Sequence, residues 1–185
     1  DDHGESGIFN VQMPPLAGSG PVYVIGTFDT KGAELNYAAE CLRAAGVPVT
    51  TVDVSTAASA SLCDVTAATV ARSHPDGASA VLGLGDRGQA VTAMAAALSS
   101  FLQTQSDVAG VLGLGGSGNT AIVTAAMQVL PVGIPKVMVS TVASGNVASY
   151  VGPSDIMMMH SVADIAGLNT ITRKVIGNAA HAIAG

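Results

Sequence analysis

Apolar and polar positions alternate along this chain in short blocks. Residues 21–26 (PVYVIG) form a continuous apolar run closed by the polar turn Thr27-Phe28-Asp29-Thr30, which predicts a buried strand. Residues 31–45 then carry Leu35, Ala38, Ala39 and Leu42 at i, i+3, i+4 and i+7, the stripe of an amphipathic helix. Asp29 or Thr30 is a suitable N-cap for it and Gly46 a suitable stop. Residues 47–54 predict a second strand that ends on Asp53, and 62–73 a shorter helix. Residues 78–82 are another apolar run, and 88–103 read as a long helix. Residues 108–112 and 134–140 predict further strands, with a helix-like run ending near Leu130 between them. Residues 156–159 predict a last strand, and 168–183 the closing helix. Strand and helix patterns in alternation predict an α/β fold, an open and mainly parallel sheet with right-handed crossovers.

Composition agrees with that pattern. The 185 residues are 49% apolar, 11% charged and 3% aromatic, enough for one sizeable core. Few charges with abundant Ala, Val and Gly suit central strands buried on both faces. The net charge is −6 and no Lys/Arg run occurs, so the phosphate neutralisation of general nucleic-acid binding is not expected. No stretch of about 18 uninterrupted apolar residues is present, so no membrane span is expected. Cys41 and Cys63 are too few for a disulfide framework or a structural zinc site, and a cytoplasmic protein is expected. Residues 1–20, rich in Asp, Glu, Gly and Pro, read as a flexible acidic arm or an expression remnant rather than a targeting peptide. At the other end the helix stops at Ala184-Gly185, either on a glycine C-cap or at a domain boundary.

The candidate chemistry lies in the turns. Gly113-Leu114-Gly115-Gly116-Ser117-Gly118-Asn119-Thr120 follows a predicted strand and opens a helix. Glycines there let the backbone approach an anion, and the free N–H groups of the first helical turn point at it. Residues 80–88 echo residues 110–118 at an offset of about one βα unit, and both fit G-x-G-x-x-G. Neither completes a dinucleotide fingerprint. No acid follows the second echo between Val108 and Ser154, and Asp107 stands at the wrong end of the strand after the first. No Lys-Ser/Thr follows the glycines either, so a P-loop is excluded. Backbone anion binding survives both failures, beside the plainer reading of a glycine turn that only packs helix against strand.

Two more turns share this composition. Thr27, Asp29, Thr30 and Lys31 follow the first strand, where Thr and Lys can meet phosphate and Asp29 can meet ribose or a metal-held water, or cap the helix. Asp53 ends the second strand, the usual place for an acid that reads ribose hydroxyls. Thr141, Ser144 and Gly145 follow the 134–140 strand. Three such turns at strand carboxyl ends predict one cleft. Arg87 can reach a phosphate but reads more simply as a solvated helix start, Met157–Met159 as a buried strand, and His160 as a structural histidine. No Ser-His-Asp spacing, H-E-x-x-H motif or paired cysteine supports hydrolase or zinc chemistry, and no metal site is expected.

The order of these motifs resembles a known family. Gly26-Thr27-Phe28-Asp29-Thr30-Lys31-Gly32, Asp86-Arg87-Gly88, the segment 113–120, residues 135–145 (PKVMVSTVASG), Tyr150-Val151-Gly152 and residues 161–169 (SVADIAGLN) are similar to those of the tomato mosaic virus resistance protein-like ATP-binding family, also called uncharacterised protein family 0261. The resemblance covers residues 21–185. It implies a Rossmann-like three-layer αβα domain, the first of two such subdomains. It also implies that ATP, with or without Mg²⁺, is bound by Thr27, Asp29, Thr30, Lys31, Asp53, Gly115, Gly116, Ser117, Gly118, Asn119, Thr120, Thr141, Ser144 and Gly145. The plant member of the family blocks tobamovirus RNA replication by binding a viral replication protein, and some members carry a further domain similar to phosphoenolpyruvate-handling barrels. The family usually has Gly where this chain has Asn119. Beside nucleotide binding, two other functions fit: a homo-oligomeric interaction module, or half of a metabolic enzyme completed by another domain.

Overall fold

A computed structural model describes residues 19–57 and 60–185. The arm read at residues 1–20 therefore lies, as far as residue 18, outside the described residues. Five strands form one parallel sheet in the order β2-β1-β3-β4-β5: β1 (Val22–Gly26), β2 (Val49–Asp53), β3 (Gly110–Gly115), β4 (Lys136–Ser140) and β5 (Met157–His160). The helices are α1 (Phe28–Ala44), α2 (Ala67–Ala71), α3 (Arg87–Gln103), α4 (Ser117–Gln128), α5 (Ala148–Val151) and α6 (Thr170–Ala184).

The period of two along each strand sorts side chains into two cores. Val22, Val24, Leu112, Leu114, Val137 and Val139 pack with α1 and α6 on one face. Tyr23, Ile25, Val111 and Met138 pack with α2, α3 and α4 on the other. This is the three-layer α/β architecture that the sequence pattern predicts. β1 and β3 are neighbours, while β2 lies outside β1. Strand succession therefore reverses between β1 and β3, and their carboxyl ends open a crevice where ligands of such sheets sit.

Several boundaries differ from the sequence reading, each for a local reason. Helix α1 begins at Phe28 rather than Lys31, because Asp53 Oδ1 accepts the Phe28 N–H and Ser55 Oγ accepts that of Asp29. Lys31 keeps a non-helical backbone, a kink inside the merged helix. Residues 62–66 are not helical. Val65 bridges to Val52, and Asp64 Oδ2 accepts the Thr51 N–H, which leaves α2 to start at the Thr66 cap. The apolar run 78–82 is not a strand. It makes a single 3-10 turn at Ala78–Ala80, bracketed by Gly77 and Gly83 in the left-handed region. The echo between 80–88 and 110–118 is thus one of letters and not of structure.

Strand β3 runs to Gly115, beyond the predicted end at Leu112. Gly113 is needed inside it, because a Cβ there would lie 2.7 Å from Val123 Cγ1 of α4 and from Met138 Sδ of β4. The methionine strand β5 is a sheet edge rather than a buried strand, with Met157 and His160 exposed. No helix among the described residues is long and apolar enough to cross a membrane.

Candidate functional site

The carboxyl end of β3 feeds directly into α4, with Gly116 as the N-cap. Glycine supplies no capping side chain, so the N–H groups of Ser117, Gly118 and Asn119 are left without a side-chain acceptor. The other long helices differ. Asp86 Oδ1 accepts the Gln89 N–H at the start of α3, at 2.7 Å. Asn169 forms a capping box at α6. At α1 the cap is borrowed from Asp53 and Ser55. The positive end of the α4 dipole is thus turned to solvent at the β1/β3 crevice.

A cleft of about 680 Å³ occupies this crevice. Gly116, Ser117, Gly118 and Asn119 form one wall, and Thr27, Asp29, Thr30 and Lys31 from the start of α1 form another. Thr141, after β4, completes the set that the sequence brings together. Its volume is within the range of about 300–1,000 Å³ usual for small-molecule sites.

Five predicted residues do not line the cleft. Asp53 is buried, and its Oδ1 accepts from Phe28 N, Ser55 N and Ser55 Oγ, so it braces the β1–α1 turn instead of facing a sugar. Thr120 is buried below the helix start, where its Oγ1 donates to the Gly116 carbonyl and lies 2.7 Å from Ser140 Oγ. Gly115 is buried in β3 beneath the cleft. Ser144 and Gly145 are exposed, away from the lining.

The cleft also contains residues to which the sequence reading gave no place in it. Asp164, Ile165 and Ala166 belong to a strap, residues 161–169, between β5 and α6. Lys31 Nζ donates to the Ile165 carbonyl, and Glu34 Oε1 accepts the Gly167 N–H, so two contacts tie the strap to α1. Val162 has a φ of 69°, a strained conformation for a β-branched residue. The Gly- and hydroxyl-poor text of 161–166 holds no anion signal, and only the fold brings it next to α1. Thr56 and Arg87 complete the lining.

The buried side-chain polar atoms of the described residues are partnered with one exception. Asn119 Nδ2 donates to the Leu114 carbonyl at 2.5 Å, while Asn119 Oδ1 is the buried side-chain polar atom without a partner among the described residues. Other chemistry is weakly represented. Burial, with the charge of Asp53 second, pushes the Cys63 thiol up, which disfavours the nucleophilic thiolate. Among the described residues no group of three or more His, Cys, Asp or Glu is placed to hold a metal ion.

Against this geometry stand the known proteins that the chain resembles. The N-terminal domain of uncharacterised protein family UPF0261 matches residues 20–185. The chain belongs to the UPF0261 family. A UPF0261 protein of Rhizobium meliloti is 56% identical over 162 residues, covering 88% of this chain and 41% of the relative. A UPF0261 protein of Clostridium tetani is 39% identical over 168 residues, 89% of this chain and 42% of the relative. The ToMV resistance protein Tm-1 of Solanum lycopersicum is 41% identical over 183 residues, 89% of this chain and 24% of that protein. Its ToMV susceptible counterpart matches to the same extent. The UPF0261 chain described here thus spans about two fifths of these bacterial relatives and a quarter of the tomato proteins.

Proposed function

We propose that this domain binds the phosphates of a nucleotide, with ATP as the first candidate, at the start of α4. The observation that carries the reading is the uncapped N-terminus of α4 at the β1/β3 crevice. Three N–H groups and the positive helix end favour an anion there. The unpartnered Asn119 Oδ1 beneath them is an acceptor, which an ordered water and not a phosphate oxygen would satisfy.

The residues present fit such a guest. Ser117, Gly118 and Asn119 would hold a phosphate through their main-chain N–H groups, and Thr141 Oγ1 borders the same turn. Thr27 and Thr30, whose hydroxyls lie 2.9 Å apart, would donate to phosphate or sugar oxygens. Asp29 and Asp164 would accept from ribose hydroxyls or from water on Mg²⁺, which usually binds through one or two carboxylates plus phosphates. Asp53 and Thr120 would act from below by fixing the two turns. No residue of the cleft is assigned as a catalytic base.

The family resemblance names ATP, and the tomato relatives are named for virus resistance and for susceptibility. Both match this chain equally, so the shared domain does not by itself favour an antiviral role here. Calorimetry of the intact protein with ATP, with and without Mg²⁺, tests the reading. Saturable heat with a matching rise in melting temperature supports it, and no heat at millimolar nucleotide overturns it.

A further inference from the structure

The two edges of the sheet are finished differently. At the β2 edge the chain covers itself: the Val65 N–H donates to the Thr51 carbonyl, and the Asp53 N–H to the Val65 carbonyl. At the other edge β5 pairs with β4 on one side and with no described residue on the other. Such a strand offers a row of free backbone N–H and C=O groups, and sheets usually blunt it with Lys, Pro or a bulge. β5 reads Met157-Met158-Met159-His160 in unbroken register and carries none of these. Met157 is 50% exposed, and Val162, just past the strand, is 65% exposed. The Gly133 N–H donates to Asp155 Oδ2, which brings Val132, 78% exposed, close to the amino end of β5.

This edge carries no net charge in a chain that is otherwise acidic. Between Val129 and Ala163 the Lys, Arg, Asp and Glu residues are Lys136 and Asp155, and they pair with each other at 2.6 Å. The net charge of −6 therefore lies elsewhere, so a second copy of the chain meets no like charge here. Topology argues against cover from a strand directly after α6. Helix α1 lies on the same face as α6 and carries the chain from β1 outward to β2. A right-handed crossover through α6 shifts the chain in that same direction, away from the open side of β5. Reaching that side from α6 needs the left-handed connection that parallel sheets almost never use.

We propose that the open edge of β5 is the contact between two copies of this chain, related by a twofold axis so that their β5 strands run antiparallel and the two sheets join. A twofold uses the same patch on both partners, so a single open edge suffices. Main-chain hydrogen bonds between the two β5 strands supply the affinity, as in other strand additions. Met157, Val132 and Val162 supply apolar surface that the partner covers. The contact is separate from the nucleotide cleft, which none of these three residues lines.

The test is sedimentation equilibrium with amide hydrogen exchange on the intact protein, for the natural chain and for Met157→Lys, Val132→Lys and Met157→Leu. The natural chain is expected to be a dimer whose β5 amides exchange faster on dilution, as the partners separate. Met157→Lys puts a charge on the edge and should weaken the dimer at least about tenfold. Met157→Leu keeps the apolar surface and should change it by less than about twofold. Val132→Lys should also weaken the dimer, and it lies outside the sheet, so it answers for the strand variant if that one misfolds. Circular dichroism of the separated variants should match that of the natural chain. A natural chain that stays monomeric overturns the proposal, whether its β5 amides are free or are protected by another segment of the same chain. A dimer unmoved by both lysine substitutions, or one whose β5 amides exchange freely, overturns it as well, because the copies then meet elsewhere.

Discussion

Asn119 fills the space that a side chain on Gly115 would need: a Cβ built on Gly115 would lie 2.7 Å from both Asn119 Cβ and Asn119 Nδ2. The carboxamide turns back and donates to the Leu114 carbonyl, so the last strand residues and the first helical turn are locked together. Gly115→Ala should therefore cost about 1–3 kcal/mol, the usual penalty for overpacking a tight site. Asn119→Gly in the same chain should recover part of that loss. A double-mutant cycle by urea unfolding measures the coupling, and strictly additive effects would show that the two residues do not share the space.

Asp53 separates structure from function in this site. Its Oδ1 holds the N–H groups of Phe28 and Ser55 and the hydroxyl of Ser55. Asp53→Ala leaves these donors without an acceptor and should lower stability by about 2 kcal/mol or more. Urea unfolding with and without the substitution checks this. A stable variant with lost nucleotide affinity would instead return Asp53 to the sugar.

Lys136 and Asp155 give the fold a pH signature. Lys136 is fully buried at the start of β4 and donates to the carbonyls of Pro131 and Ile134 and to Asp155 Oδ1. The Lys136 hydrogen bond, followed by the Gly133 N–H, holds the Asp155 carboxyl down to about 2 from its ordinary 3.8. A depressed carboxylate contributes fully above its ordinary value and loses that contribution as pH falls through about 2. The stability difference between the natural chain and Asp155→Asn should thus be constant from pH 7 to about 4 and shrink toward pH 2. Paired melting curves over that range give the answer, and a difference that grows on acidification would contradict it.

The strap should loosen when its anchor is removed. Glu34 is buried in α1, and its carboxylate accepts the Gly167 N–H. Glu34→Ala should speed amide hydrogen exchange at 165–168 at least several-fold while leaving β1 and β3 protected, because local opening is set by local contacts. Uniform acceleration across the sheet would mean that the strap is part of the global unfolding unit.

The layout of the sheet was legible because buried parallel strands are apolar runs and the helices carry Leu and Ala stripes. Residues 78–82, read only as an apolar run, form a turn between two left-handed glycines, with Val81 buried in the core. That Thr27, Lys31, Ser117 and Thr141 meet at one cleft was legible because turns rich in small hydroxyl residues and glycine recur at strand carboxyl ends, which share one edge of a parallel sheet. Asp53 was misplaced because a strand-end acid reads the same whether it binds a sugar or caps a helix. Asp164–Ala166 were not legible as cleft residues, since their neighbours are set by tertiary packing of the strap on α1, whereas Arg87 was legible only as one of two readings.

Gly118 offers a control that separates fold from binding. Asp at this position lies in the first turn of α4, where a negative charge is favourable to the helix, yet it places a carboxylate where the phosphate would bind. Gly118→Asp should keep or slightly raise the melting temperature. The most direct measurement is calorimetric titration of the intact protein and of this variant with Mg²⁺-ATP. The account predicts saturable binding by the natural chain and at least a tenfold loss, about 1.4 kcal/mol, in the variant. No binding by the natural chain, or equal binding by both, would contradict it.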